Sequence, residues 1–280
     1  MKNILIPTDF SDNAWGAVFT SIKLFEDIEC RFYLLHAYEP DMFSPRGNKK
    51  QQELAETYDS LAQYSEQELQ KVLEYLRKHH QNPNHRFEVI SRSDTLVSSV
   101  KKVISKQDID LTVMGTQGAS GAKEVFLGSN TVKVMKKILK CPLLVVPESF
   151  NFQHLKTIVF PTDFSKTYEK FQLLPLIKLA LLWKAKILVL YVSLEHSLKE
   201  KQKDNKKLLE ERLYGLEVKF RDVDYESNIA RTIEKFIAEN DTQLMALVRY
   251  KHSFWERILR EPVVKKITFH TEVPLLVLPE

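Results

Sequence analysis

Four of the chain's seven glycines lie in one stretch, Met114-Gly-Thr-Gln-Gly-Ala-Ser-Gly-Ala-Lys-Glu-Val-Phe-Leu-Gly-Ser-Asn130. A chain of this length and average composition would carry roughly twenty glycines spread throughout, so the cluster marks a backbone with unusual local demands. Glycine accepts positive φ and lets a ligand approach the main chain with no Cβ in the way. Gly128-Ser129-Asn130 then opens a helix carrying Val132, Met135, Ile138 and Leu139. The first amides of such a helix have no intrahelical partner, and with the helix dipole they form a site for an anion such as phosphate. The Ser129 hydroxyl has two readings, a donor to that phosphate or an ordinary helix N-cap.

Other phosphate chemistries do not fit. The stretch has no Gly-Lys-Ser/Thr, so it is not a P-loop, and it lacks the dinucleotide glycine spacing. Phosphoryl transfer needs a metal clamp and an oriented nucleophile, and the sequence assembles neither. Binding is therefore expected in preference to turnover, and no catalytic residue is assigned.

The elements that must position this loop are read from an internal repeat. Asn3-Ile-Leu-Ile-Pro-Thr-Asp-Phe-Ser11 returns as Thr157-Ile-Val-Phe-Pro-Thr-Asp-Phe-Ser165, and Cys141-Pro-Leu-Leu-Val-Val-Pro147 returns as Val273-Pro-Leu-Leu-Val-Leu-Pro279. The separations are 154 and 132 residues, so the second copy is shorter between its two motifs. The extra length of the first copy is expected within Asp41 to Tyr64. Strand-like runs Phe32–Ala37 and Ile187–Val192, then Phe87–Ile90 and Leu216–Phe220, alternate with helical spacings such as Leu69, Val72, Leu73 and Leu76, or Ile229, Ile233, Phe236 and Ile237. Such alternation implies an α/β fold of two tandem domains, 1–148 and 154–280, each a mostly parallel five-stranded sheet with helices on both faces. The short join carries Phe150 and Phe152, so the halves are expected to pack together. Ligands of open α/β sheets bind beyond the carboxyl ends of the strands. There Pro7-Thr8-Asp9, Ala37 and Met114-Gly115 should converge. Asp9 and Ser11 have a second reading as caps of the first helix, and Asp163 and Ser165 repeat that pattern.

Composition narrows the partners. The net charge of +4 spreads over 41 basic and 37 acidic residues, which gives no reason to expect nucleic acid. The start Met1-Lys-Asn-Ile-Leu-Ile-Pro does not read as a signal peptide, and no apolar run reaches the roughly 20 residues of a membrane span. Cys30 and Cys141 fall in core elements, which fits buried thiols in a reducing cytoplasm. His79, His80 and His85 are placed at a polar helix end and its loop, in solvent and helix-dipole contacts rather than around a metal.

These residues make the chain resemble the universal stress protein family in its tandem form. Gly115-x-x-Gly118, nine residues and Gly128-Ser129 is similar to that family's ATP-binding signature, and Pro-Thr-Asp-Phe-Ser and Leu-His-Ala fit its first two strand ends. The resemblance implies a Rossmann-like fold of the adenine nucleotide alpha hydrolase type. It also implies ATP as the ligand, alone or with Mg or Mn. Asp9 and Ala37 would then face the adenine, Met114 and Gly115 the sugar and nearby phosphate, and Gly118, Gly128, Ser129 and Asn130 the phosphates, with Pro7 and Thr8 also in the binding site. The implied role is an ATP-binding stress-response module with an unknown protein partner, and the alternatives are a slow ATPase or a nucleotide-free interaction scaffold.

The second half departs from the signature, because Leu244 to Arg260 contains no glycine. It is expected not to bind ATP. Arg249, Lys251, His252, Arg257 and Arg260 read as a solvated basic helix or another anion site, and Phe254 and Trp255 as fillers of the vacated cleft or of an interface. Family members pair through their last strands, so Leu143–Val146 and Leu275–Leu278 are expected to pair within the chain as an intramolecular pseudo-dimer. A homodimer of whole chains stays open.

Overall fold

The computed structural model describes residues 1–39, 48–116, 128–193, 197–225, 228–249 and 272–280, with the backbone alone for 48–57. The first half runs β1 (Lys2–Pro7), α1 (Asp12–Leu24), β2 (Cys30–Tyr38), α2 (Asn48–His79), β3 (His85–Ser93), α3 (Leu96–Gln107), β4 (Leu111–Gly115), α4 (Ser129–Lys137) and β5 (Leu143–Val146). The second runs β6 (Thr157–Pro161), α5 (Lys170–Trp183), β7 (Lys186–Ser193), α6 (Glu200–Arg212), β8 (Val218–Asp224), α7 (Ile229–Glu239), β9 (Leu244–Val248) and β10 (Leu275–Leu278). The length difference sits in the crossover from the second strand of each half to the third. There α2 has 32 residues and α6 has 13.

The ten strands among the described residues form one sheet in the order β3-β2-β1-β4-β5-β10-β9-β6-β7-β8. Pairing is parallel within each half, and β10 meets β5 antiparallel through Leu275 with Val145, Leu276 with Leu144 and Val277 with Leu143. The carboxyl ends of the two sets of strands therefore point in opposite directions. Pairing the two last strands also covers edges that would otherwise recruit another chain.

Period-two alternation sends successive strand residues to opposite faces. Ile4, Ile6, Phe32 and Leu34 join one core with Ile158, Phe160, Leu173 and Leu209, while Leu5, Tyr33 and Leu35 join another with Val100, Val134, Leu188 and Ile233. Each core runs across both halves, so neither half packs alone. The join adds to this, because Phe152 and Leu155 are buried and the Phe152 ring meets Trp183 edge-on at 5.2 Å. The Trp183 indole N–H donates to the Leu24 carbonyl at 3.1 Å.

Local sequence sets the helix starts. The Ser11 hydroxyl accepts from Ala14 N and begins α1, the Thr95 hydroxyl accepts from Ser98 N and begins α3, and the Asn228 side chain accepts from Arg231 N and begins α7. Among the described residues, no helix is long and apolar enough to cross a membrane.

Candidate functional site

A cavity of about 330 Å³ opens at the carboxyl ends of β1, β2 and β4, within the range typical of small-molecule sites. Pro7, Thr8 and Asp9 line it after β1, Ala37 in β2, and Met114 and Gly115 at the end of β4. Gly128, Ser129 and Asn130 close it with the first turn of α4. The sequence had singled out each of these residues. Gly118 lies outside the described residues. Ala14, His36, Leu96 and Thr131 line the same cavity and were not singled out.

The β1 end is a tight turn held by its own side chains. The Thr8 hydroxyl accepts from Phe10 N at 3.0 Å, and Asp9 Oδ1 accepts from Ser11 N at 3.2 Å and from the Ser11 hydroxyl at 2.6 Å. Phe10 takes a left-handed φ of 66°. Thr8 N donates to the Leu35 carbonyl at 2.8 Å, which fixes the turn against β2.

Gly115 is required by close approach. An added Cβ would lie 2.9 Å from the backbone oxygen of Asn13 and 2.6 Å from its Cγ. Asn13 is buried and donates to the Val146 carbonyl at 3.3 Å, so it cannot simply swing away. The glycine thus lets α1 sit against β4 at the cavity floor.

The helix behind the loop starts one residue earlier than an N-cap at Ser129 would require. Gly128 is the N-cap, at φ −56° and ψ 150°, with no side-chain cap bond, and Ser129 is the first helical residue with an exposed side chain. The Thr131 hydroxyl donates to the Gly115 carbonyl at 2.8 Å and Gly128 N donates to the Thr116 carbonyl. These bonds tie the helix start to the end of β4, and Gly128 to Thr131 line the cavity. An uncapped N-terminus, a glycine floor and a hydroxyl beside the first amides are a donor set suited to phosphate. Among the described residues no cluster of metal-ligating side chains occurs.

His36 is the polar group that the repeat did not announce. Burial pushes its pKa down, with Asp9 opposing, which favours a neutral ring. Its Nδ1 lies 2.8 Å from the Ser65 hydroxyl, which lies 2.7 Å from that of Ser91, and its ring sits 4.6 Å from Phe10. Sequence alternation could have placed His36 at a strand end, but its partners come from α2 and β3.

The second half repeats the turn and departs from the rest. The Thr162 hydroxyl accepts from Phe164 N at 3.0 Å, Asp163 Oδ1 accepts from Ser165 N at 2.9 Å, and Phe164 has φ 53°. Ser165 does not cap a helix, because α5 begins at Lys170 with Glu169 as its N-cap. The strand registers place Val248 at the Gly115 position, and Val248 is buried. From α6, Gln202 and Asn205 donate to the Asp163 and Phe164 carbonyls, each at 2.7 Å. Phe164 is fully buried, stacked on Tyr191 and Phe220.

Arg249 does not lie on a helix. It follows β9 and donates to the Lys136 carbonyl at 2.9 Å, at the negative end of the α4 dipole. Lys251, His252, Phe254, Trp255, Arg257 and Arg260 lie outside the described residues.

His79 is exposed in the last turn of α2, as expected, but His85 needs correction. His85 opens β3 and is buried rather than sitting in a solvated loop. Its Nε2 donates to the Phe25 carbonyl at 2.9 Å, so its Nδ1 accepts from His80 Nε2 at 2.8 Å. Burial lowers both pKa values, as this neutral pairing requires. Cys30 and Cys141 are free and buried, and burial pushes both thiols up to about 11.

The fold and site together define an α/β protein with a cavity at the strand ends of its first half. The Universal stress protein family profile matches residues 1–147, and the chain belongs to that family. Two universal stress proteins of Methanocaldococcus jannaschii resemble the chain. One is 30% identical over 156 residues, covering 52% of this chain and 94% of its own. The other is 26% identical over 145 residues, covering 52% and 81%. A universal stress protein structure from Archaeoglobus fulgidus spans 99% of this chain and 98% of its own at TM-score 0.64 and 16% identity, a likeness of fold across both halves.

Proposed function

We propose that the chain is a regulatory module that binds one adenine nucleotide, ATP, in its first half. On this reading, residues 1–148 and 154–280 are two universal stress protein domains, and the second has lost the ligand. The observation that carries the proposal is the first turn of α4, whose N-cap is a glycine with no side-chain cap bond and whose residues Gly128 to Thr131 line the cavity. The phosphates would lie against Gly118, Gly128, Ser129 and Asn130, the sugar by Met114 and Gly115, and the base by Asp9 and Ala37.

Binding is favoured over turnover because Asp9 Oδ1 already holds the turn through Ser11. The neutral His36 is held by Ser65. ATP would supply a triphosphate whose charge the helix start can meet, with Mg or Mn accompanying it. The buried thiols fit a reducing cytoplasm. Calorimetric titration of nucleotide-free full chain with Mg-ATP tests the proposal. One site per chain is the expected result, whereas no heat of binding would leave a nucleotide-free interaction scaffold in its place.

A further inference from the structure

The repeat builds two equivalent grooves and fills one of them. The buried stripes of α1 and α5 align Ala17, Val18, Ser21 and Leu24 with Gln172, Leu173, Leu176 and Leu179. Thr20 and Lys23 then correspond to Pro175 and Lys178. Strand registers likewise match Leu244 to Leu111, and Leu144 pairs directly with Leu276.

Beside α1, a groove walled by Thr20, Leu24, Leu144, Gln243, Leu244 and Pro274 is occupied by Phe152 and Leu155, leaving about 10 Å³ empty. The Lys23 ammonium holds this occupant, donating to the Phe152 carbonyl at 3.1 Å and to Asn151 Oδ1 at 3.4 Å. Beside α5, the corresponding walls are Pro175, Leu179, Leu276, Asp110, Leu111 and Pro142, and about 270 Å³ stands open. Among the described residues nothing takes the place of Phe152 and Leu155. Met1, at the position of Leu155 in the repeat, is 59% exposed where Leu155 is 2%. Phe171 and Leu174 stand exposed on this groove's wall, an apolar patch of the kind that marks an interaction site.

The filled twin shows what the open groove accepts: an extended segment with an aromatic residue, two intervening residues and an aliphatic one, its backbone carbonyl held by a lysine. The rim adds charge. Lys2, Lys140 and Lys178 border the open groove. Asp110 also borders it, and its carboxylate already accepts from Asn3 N at 2.9 Å. We infer that the α5 groove docks an extended aromatic-x-x-aliphatic segment of a partner protein, flanked by acidic residues. Its ring and aliphatic side chain take the places that Phe152 and Leu155 hold in the twin, and Lys178 donates to its backbone as Lys23 does.

The chain's own join supplies the probe. A fluorescent peptide of residues 148–155, extended by two glutamates, is titrated with full-length protein while anisotropy is read. Saturable binding is expected, weakened at least tenfold by Leu174→Glu or Lys178→Glu, with both variants melting at the wild-type temperature. A peptide with Phe152→Ala and Leu155→Ala should not bind. The inference is overturned if the wild-type peptide shows no saturation or binds both protein variants as well as wild type. It is equally overturned if sedimentation shows a dimer that Leu174→Glu converts to monomer, because the occupant is then a second copy.

Discussion

The two Pro-Thr-Asp-Phe-Ser turns share a backbone and differ in what leans on them. Both hold a phenylalanine at positive φ, with threonine and aspartate oxygens accepting from the turn's own amides. After the first, α1 starts at once, Asn13 comes down on Gly115, and a cavity stays open toward α4. After the second, the helix starts later, a buried valine stands where the glycine was, and two α6 side chains bind the turn. The turn is therefore a structural device in its own right. On the proposed reading, the nucleotide site needs the glycine and the uncapped helix as well.

The largest effect should come from Gly128→Val. Its φ and ψ suit any residue, so the substitution tests space rather than strain. Mg-ATP affinity should fall more than a hundredfold with the melting temperature held, and unchanged affinity would break the assignment of phosphate to α4. Gly115→Ala acts on the fold instead. Overpacking against the Asn13 backbone should cost about 1–3 kcal/mol in urea unfolding, whereas Val248→Ala in the second half should leave nucleotide affinity untouched.

Thr131→Val removes the buried bond to the Gly115 carbonyl and should cost about 1 kcal/mol, loosening the helix start and weakening nucleotide several-fold. The smallest stability change is expected for Ser129→Ala. With Gly128 as the N-cap, stability should stay within about 0.5 kcal/mol while affinity falls severalfold if the hydroxyl meets phosphate.

Much of this was legible from the chain. The repeat announced the doubled sheet because the turn needs the same residues each time, and the family resemblance, with an apolar last strand in each half, implied the β5 to β10 seam. The helical spacing from Leu69 to Leu76 lies within α2. What stayed hidden depends on distant partners. No local pattern shows that α5 starts at Lys170, that Asn13 is the reason for Gly115, or that His36 rests on Ser65. The expectation for His85 failed for a related reason, since β3 pairing buries it beside Phe25.

On the proposed reading, one half binds nucleotide and the other is closed to it. Photolabelling the nucleotide-free full chain with an azido-adenine nucleotide, followed by peptide mapping, tests it most directly. Label is predicted in peptides around Asp9, Ala37 or Met114, and Gly128→Val should abolish it. Label around Asp163 or Val192, or equal label in both halves, would overturn that reading.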